Sequence, residues 1–91
     1  MMISKPEFEA ALAADGYVEI ETKSLPTRPA NGEHGHQYAV KGLVLGGVFT
    51  VVQNNVAVAF HRGQIFSVPA GDLHYEEIGP EGAEICVGRK Y

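Results

Sequence analysis

The sequence has a single cysteine, no tryptophan and no excess of basic residues. Cys86 is the one cysteine among 91 residues. A lone thiol cannot form a disulfide within the chain, so a reducing, cytoplasmic compartment is expected. Seven Lys and Arg residues stand against eleven Asp and Glu residues, a formal net charge of −4. No basic cluster is present, and nucleic acid is therefore not an expected partner.

Long apolar runs are also missing. None approaches the ~20 residues that a membrane-spanning helix needs, and the N-terminus lacks the basic and apolar regions of a signal peptide. The hydrophobic share of 45% and the charged share of 20% are typical of a folded soluble domain rather than a disordered chain. We expect one domain spanning residues 1–91, with no membrane partner.

Several catalytic motifs are absent as well. The chain contains no Gly-x-Ser-x-Gly elbow, no phosphate-binding glycine loop and no Cys-x-x-Cys pair. Their absence argues against the corresponding hydrolases, nucleotide-binding folds and zinc ribbons. What the chain does contain is a group of histidines at defined spacings.

The N-terminal segment predicts one short helix over about residues 5–14. Ser4 and Glu7 have the separation of a capping box, and Gly16 is typical of the position where a helix ends. Phe8 and Leu12 belong to one apolar stripe. A helix this short is marginal alone, so its stripe must pack on a larger element.

The rest of the chain, about residues 17–90, consists of β-branched runs separated by turn residues. We expect seven or eight short strands, including residues 17–22, 47–53, 56–60, 64–68, 73–77 and 83–89. Residues 24–35 predict a loop, and residues 61–63, 69–71 and 79–82 predict turns. Asn54-Asn55 predicts a tight hairpin. This spacing is typical of an all-β sandwich or barrel.

Three of the four histidines have a spacing that suggests a metal site. His34 and His36 are two residues apart, so on an extended chain both rings project to one face. His74 lies on a separate predicted strand. Three imidazoles that leave an open position are typical of catalytic zinc sites and also suit iron, copper or nickel. His61 lies in a predicted turn, where we expect it to be exposed rather than a ligand.

This pattern resembles the cupin superfamily. Residues 63–74 match the family's second motif, G-x5-P-x-G-x2-H, at every fixed position. The first motif, broadly G-x5-H-x-H-x3,4-E-x6-G, is represented by His34-Gly-His36, but its glutamate position falls on Val40 or Lys41. The resemblance covers roughly Asn31 to Glu76. It implies an all-β double-stranded β-helix, the cupin or jelly-roll barrel, with the short helix at its N-terminus.

The resemblance also implies a ligand set. His34, His36 and His74 would hold one divalent transition metal (zinc, nickel, iron or manganese) in the barrel mouth. Glu76 lies two residues beyond His74 on a strand and should face the same side, as a fourth ligand or an acid/base group. Tyr38 shares strand parity with His36 and is a second acid/base candidate, although a packing role is equally consistent with the pattern.

The function expected from these residues is a small metal-binding cupin that binds or acts on a small molecule. We expect its cavity to be lined by Leu45, Phe49, Phe66 and Val68, and we expect a homodimer, as is common for this fold. The alternative is a non-catalytic small-molecule binding or sensor cupin without a functional metal. A barrel that serves only for association is a third option.

Lys41 leads to two opposite expectations. If the barrel keeps the family geometry, Lys41 takes the glutamate position, and Lys41→Glu tightens metal binding; this is the outcome we expect. Simple alternation from His36 instead turns Lys41 towards solvent, and the substitution then has little effect.

Overall fold

The computed structural model describes residues 2–29 and 32–91. Met1 and two residues of the predicted 24–35 loop, Ala30 and Asn31, lie outside the described residues. The elements are helix α1 (Lys5–Ala14) and strands β1 (Val18–Leu25), β2 (Ala39–Gln53), β3 (Val56–Phe60), β4 (Ile65–Val68) and β5 (Tyr75–Lys90).

Helix α1 begins at the predicted capping box. The backbone N–H of Glu7 donates to Ser4 Oγ over 3.3 Å, and the backbone N–H of Ser4 donates to the Glu7 carboxylate over 3.1 Å. Pro6 lies in the first turn, where its missing N–H leaves no hydrogen bond unmade. Gly16 follows the helix with a φ of +85°, a conformation that glycine adopts without strain.

Packing against the sheet holds this short helix in place. Phe8 and Leu12 are each 2% exposed and contact Leu43 and Cys86. Burial of side chains of this size contributes about 1.5–3 kcal/mol each, enough to offset the marginal stability of a ten-residue helix. No helix among the described residues is both long and apolar enough to cross a membrane.

The five strands form one antiparallel sheet in the order β1-β5-β2-β3, with β4 paired to β2 beside this path. The long strands β2 and β5 pair with each other along most of their length. Strand β4 pairs with residues 40–43 of β2, and β3 pairs with residues 49–53. The predicted all-β fold with one short helix is confirmed, but the sheet is not closed.

The prediction of seven or eight short strands is wrong, because the described residues contain two strands of 15 and 16 residues. The predicted turn at residues 79–82 is a bulge inside β5, opposite Val48, between the pairs Gly47–Ala83 and Phe49–Ile78. Gly82 has a φ of +76°, which permits the bend without ending the strand. Glycine-rich segments serve as turns or as bulges, and the local sequence does not distinguish the two.

The predicted hairpin between β2 and β3 is present. Asn54 and Asn55 have φ angles of +51° and +63°. Two consecutive left-handed residues are the geometry of a tight turn that matches the twist of the flanking strands. Asparagine tolerates this conformation better than most residues, which explains why the pair stands here.

The sheet buries two apolar clusters. One lies between the sheet and α1 and contains Cys86, which is fully buried, as expected of a small apolar side chain. Burial also raises the pKa of the Cys86 thiol. The larger cluster lies within the curved sheet and comprises Val44, Phe49, Val51, Phe66, Val68, Ile78, Ala83, Ile85 and Val87. The second cluster forms the floor of a cavity that opens beside the histidines.

Candidate metal centre

His34 and His74 face each other across an isolated antiparallel bridge just before β5. The backbone N–H of His34 donates to the carbonyl of His74 over 3.0 Å, and that of His74 donates to the carbonyl of His34 over 2.9 Å. Directly opposed residues project their side chains to the same face. The two imidazole centroids are 4.3 Å apart. His74 is only 1% exposed.

His36 completes the cluster. Its backbone carbonyl accepts a 2.8 Å hydrogen bond from the N–H of Gly71, so the turn after β4 braces the segment that carries it. The His36 ring centroid lies 5.2 Å from that of His34 and 5.6 Å from that of His74. Each of the three histidines offers a ring nitrogen, and these atoms lie within 4.8 Å of one another. The structure thus brings together the three histidines expected as ligands.

Backbone carbonyls set the orientation of two of the rings. Nδ1 of His34 lies 3.0 Å from the carbonyl oxygen of Gly32, and Nδ1 of His74 lies 3.2 Å from that of Asp72. A carbonyl can only accept a hydrogen bond, so Nδ1 must carry the proton in both rings. In the neutral imidazole this leaves a lone pair on Nε2. Metal-binding histidines are commonly held in this way.

Both Nε2 atoms point towards one carboxylate oxygen. Oε2 of Glu76 lies 3.2 Å from Nε2 of His74 and 3.8 Å from Nε2 of His34. Its other oxygen, Oε1, lies 3.2 Å from Nη2 of Arg28. Glu76 therefore brings a carboxylate from β5 to two of the histidines, whereas the first-motif glutamate was expected on β2.

This donor set calls for a positive charge at its centre. Neutral Nε2 atoms and a carboxylate oxygen are all electron-pair donors, so they repel one another unless a proton or a cation lies between them. Three imidazoles with a carboxylate are also a donor set that divalent transition metals accept. The residues present therefore fit a metal ion of this class.

The cluster opens onto a cavity of about 260 Å³. Three of the four side chains expected to line it, Phe49, Phe66 and Val68, do so. The Phe49 and Phe66 rings lie 4.7 Å apart, centroid to centroid, and form part of the apolar floor. The volume suits a small ligand rather than an extended one.

Leu45, the fourth residue expected in the cavity, lies on the other face of β2. It packs against the cluster around α1. A spacing of four would place Leu45 and Phe49 on one face, but the register of β2 shifts between Val44 and Gly46 and again between Gly47 and Phe49. These bulges reset the alternation of side chains, so we correct the assignment of Leu45.

Tyr38 stacks on the histidine cluster from the side. Its ring lies 4.8 Å from that of His36, with 16° between the planes, and it lines the cavity. Burial lowers the pKa of His36, and the neighbouring histidines and Arg89 act in the same direction, against Glu76. A lowered pKa favours the neutral ring, which is the form that binds a metal.

Lys41 faces away from the histidines, contrary to expectation. Val40 lines the cavity, whereas Lys41 alternates to the other side of β2, which it shares with Leu43 beneath α1. No register shift separates residues 40–43, so plain alternation holds here. Lys41 thus does not take the place of the first-motif glutamate. His61 is exposed in the turn before β4, as expected.

Three basic residues at the cavity were missed by the sequence reasoning. Lys23 from β1, Arg28 from the loop after it and Arg89 from the end of β5 all line the cavity. No local signal marks them, because their positions depend on the pairing of β1 with β5, whose residues lie more than 50 positions apart in sequence. Alternation places Arg89 on the same face as Val87, but only the pairing places that face at the cavity.

Comparison with known proteins gives a structural likeness and no sequence match. Neither a family model nor a curated protein matches the chain. A cupin-2 domain protein from Shewanella frigidimarina superposes with a TM-score of 0.69 at 14% identity, over 85% of this chain and 72% of that one. The chain has the cupin fold.

Two further cupin-like structures support this conclusion. A cupin superfamily protein from Desulfitobacterium hafniense has a TM-score of 0.66 at 15% identity, over 79% of this chain and 66% of that one. A predicted oxalate decarboxylase from Thermotoga maritima has a TM-score of 0.68 at 21% identity, over 97% of this chain and 74% of that one. At these identities the likeness establishes the cupin fold and nothing of the chemistry.

Proposed function

We propose that this cupin holds one divalent transition-metal ion through His34, His36 and His74, and that the ion serves to bind or transform a small molecule in the adjoining cavity. Zinc, nickel, iron and manganese all suit the donor set. The observation that carries the proposal is the convergence of two Nε2 lone pairs and one carboxylate oxygen within 3.8 Å.

Glu76 is part of the proposed site. Its Oε2 lies 3.2 Å from Nε2 of His74 and 3.8 Å from Nε2 of His34, which supports a role as a fourth ligand. Arg28 holds Oε1 and so orients the carboxylate from outside the ring of donors. This arrangement compensates for the absence of a carboxylate at Val40 and Lys41.

A metal ion of this class would supply Lewis-acid or redox chemistry. The chain's own groups would then bind, orient and exchange protons with a ligand. Tyr38, at the cavity wall beside His36, can donate a proton from its hydroxyl, and Glu76 can accept one when it is not engaged by a cation. The apolar floor around Phe49 and Phe66 excludes water from that end of the cavity.

Metal analysis tests the proposal. Purified protein is stripped with a chelator, reconstituted separately with zinc, nickel, iron(II) and manganese, desalted and analysed for metal and protein. We expect about one equivalent of at least one metal per chain. Less than a tenth of an equivalent with all four metals would contradict the proposal.

The alternative is a small-molecule binding or sensor cupin that needs no metal. The cavity supports this alternative, because apolar walls and several basic side chains can hold a ligand without an ion. A thermal-shift screen of metal-free protein against small metabolites separates the two. Ligands that stabilise the metal-free protein as strongly as the metal-loaded protein would favour the alternative.

A further inference from the structure

Charge is distributed unevenly between the cavity and the rest of the chain. The cavity lining contains three of the seven Lys and Arg residues, Lys23, Arg28 and Arg89, but among the described residues only one of the eleven Asp and Glu residues, Glu76. The chain as a whole carries a formal net charge of −4. A concave surface of opposite sign to the whole protein concentrates anions at its mouth.

The three basic residues are not equivalent. Nη2 of Arg28 lies 3.2 Å from Oε1 of Glu76, so the Glu76 carboxylate largely neutralises the charge of Arg28. Lys23 pairs with Glu21 at 3.3 Å, where the two side chains are 38% and 52% exposed. Exposed pairs of this kind are weak and readily exchange partners.

Arg89 reaches the histidine cluster through the ring of Tyr38. Its guanidinium carbon lies 4.9 Å from the centroid of the Tyr38 ring, and Tyr38 stacks in turn on His36. Stacking on an aromatic face fixes the plane of the guanidinium. Nη1 of Arg89 lies 3.6 Å from Oε1 of Glu19, whose side chain is about half exposed.

Contacts with Glu19 and Tyr91 hold Arg89 in position. Glu19 adopts a φ of +53°, unusual for a residue other than glycine, at the register shift between Val18 and Glu21. The bulge directs Glu19 towards Arg89 and towards the hydroxyl of Tyr91, which donates a hydrogen bond to it. Hydrogen bonding with Tyr91 raises the pKa of Arg89, which keeps the guanidinium charged.

We propose that the cavity takes a small carboxylate-bearing molecule, with the guanidinium of Arg89 as the group that recognises its carboxylate. The inference rests on the proposed function, since it names the ligand class of the same cavity. A guanidinium presents five N–H donors in a planar fork that matches both oxygens of a carboxylate. The apolar floor of Phe49, Phe66 and Val68 then receives the carbon chain of the molecule.

The lining of the cavity favours a carboxylate over a phosphate. Phosphate sites typically combine charge with several backbone N–H groups from a glycine-rich loop or a helix N-terminus. The part of this cavity that the structure describes is lined mainly by strand residues, seven of them apolar, and α1 packs on the other side of the sheet. One planar anionic group attached to a short apolar chain fits such walls.

Butyrate and butyramide test the proposal, because they have nearly the same size and differ in charge. Binding of each to zinc-loaded and metal-free protein is measured by amide chemical-shift titration at constant ionic strength. Wild-type protein should bind butyrate at least tenfold more tightly than butyramide. Arg89→Gln should reduce this preference at least fivefold, and Arg89→Lys should restore part of it.

Arg62→Gln is the matched control, since it removes the same charge from an exposed position in the turn before β4. It should leave the preference for butyrate within twofold of wild type. An equal loss in both variants would show a general effect of net charge and would overturn the role of Arg89. Tighter binding of inorganic phosphate than of butyrate would overturn the carboxylate assignment.

Zinc titration of the same proteins separates this inference from the proposed function. Arg89→Gln should bind zinc within about threefold of wild type while losing the preference for butyrate. Wild-type protein that binds zinc but does not distinguish butyrate from butyramide would refute the inference alone. Protein that binds none of the four metals but prefers butyrate through Arg89 would refute the metal proposal alone.

Discussion

Replacing Glu76 with Gln removes the negative charge of the centre with little change in side-chain size. In the wild type, the Glu76 Oε2 lies 3.2 Å from Nε2 of His74 and 3.8 Å from Nε2 of His34. Two unit charges about 4 Å apart interact by about 4 kcal/mol at an effective dielectric constant near 20. Solvent reduces this value, because the side chain is 22% exposed, and so does Arg28 on the other oxygen.

We therefore expect Glu76→Gln to weaken zinc binding by about 1.4–2.8 kcal/mol, which corresponds to roughly 10- to 100-fold in Kd. The assay is competition with a chelating dye at pH 7.5. Thermal melts of the metal-free proteins show whether the variant is folded. Loss of the ion pair with Arg28, whose own side chain is 41% exposed, should change the free energy of unfolding by only about 1 kcal/mol or less.

Glu77→Gln is the control for net charge. Glu77 is the next residue of β5, is exposed and points to the other face of the strand. Its substitution should leave the zinc Kd within twofold of wild type. A Kd of Glu76→Gln within threefold of wild type, or equal weakening in both variants, would refute a direct role of Glu76 in the centre.

Three further predictions concern pH, Lys41 and assembly. Zinc affinity should fall as pH is lowered from about 7.5 to about 5.5, because protons compete with zinc for the ring nitrogens. Burial lowers the pKa of His36 and keeps this ring neutral over more of that range. Zinc affinity that stays constant over this range in the dye assay would argue against histidine ligands. Lys41→Glu should leave the zinc Kd within about twofold, since Lys41 faces away from the cavity, and tenfold tightening would contradict that placement. The homodimer expected from the sequence has a candidate interface at the edge strand β3, where Val56 and Val58 are 60% and 46% exposed. Val58→Lys should shift the sedimentation of a wild-type dimer towards the 9.8 kDa monomer. A variant that still sediments as a dimer would exclude this edge.

Local signals predicted local structure well. The capping box of Ser4 and Glu7 and the left-handed pair Asn54-Asn55 depend on residues within three positions of each other, and both are present. The rings of His34 and His36 reach one site, as alternation over two residues predicts, although His34 lies in an isolated bridge and His36 precedes β2. Each of these features is determined by short stretches of chain, so the sequence is sufficient to predict them.

Features that depend on distant pairing could not be predicted in this way. Glycines at residues 79–82 bend β5 instead of ending it, because β2 pairs with both halves of the strand. The bulges of β2 put Leu45 and Phe49 on opposite faces, although simple alternation would put them on one face. Arg89 reaches the cavity only because β5 lies between β1 and β2. In each case the deciding contact joins residues far apart in the chain.

Zinc titration of His74→Ala against His61→Ala tests the central claim most directly. Both variants lose one imidazole, but His74 is buried in the centre and His61 is exposed in a turn. With about one zinc bound per wild-type chain, His61→Ala should retain the same stoichiometry and affinity, whereas His74→Ala should bind less than a tenth of an equivalent while remaining folded in thermal melts. Equal zinc binding by a folded His74→Ala variant and by wild type would contradict a metal centre built on these three histidines.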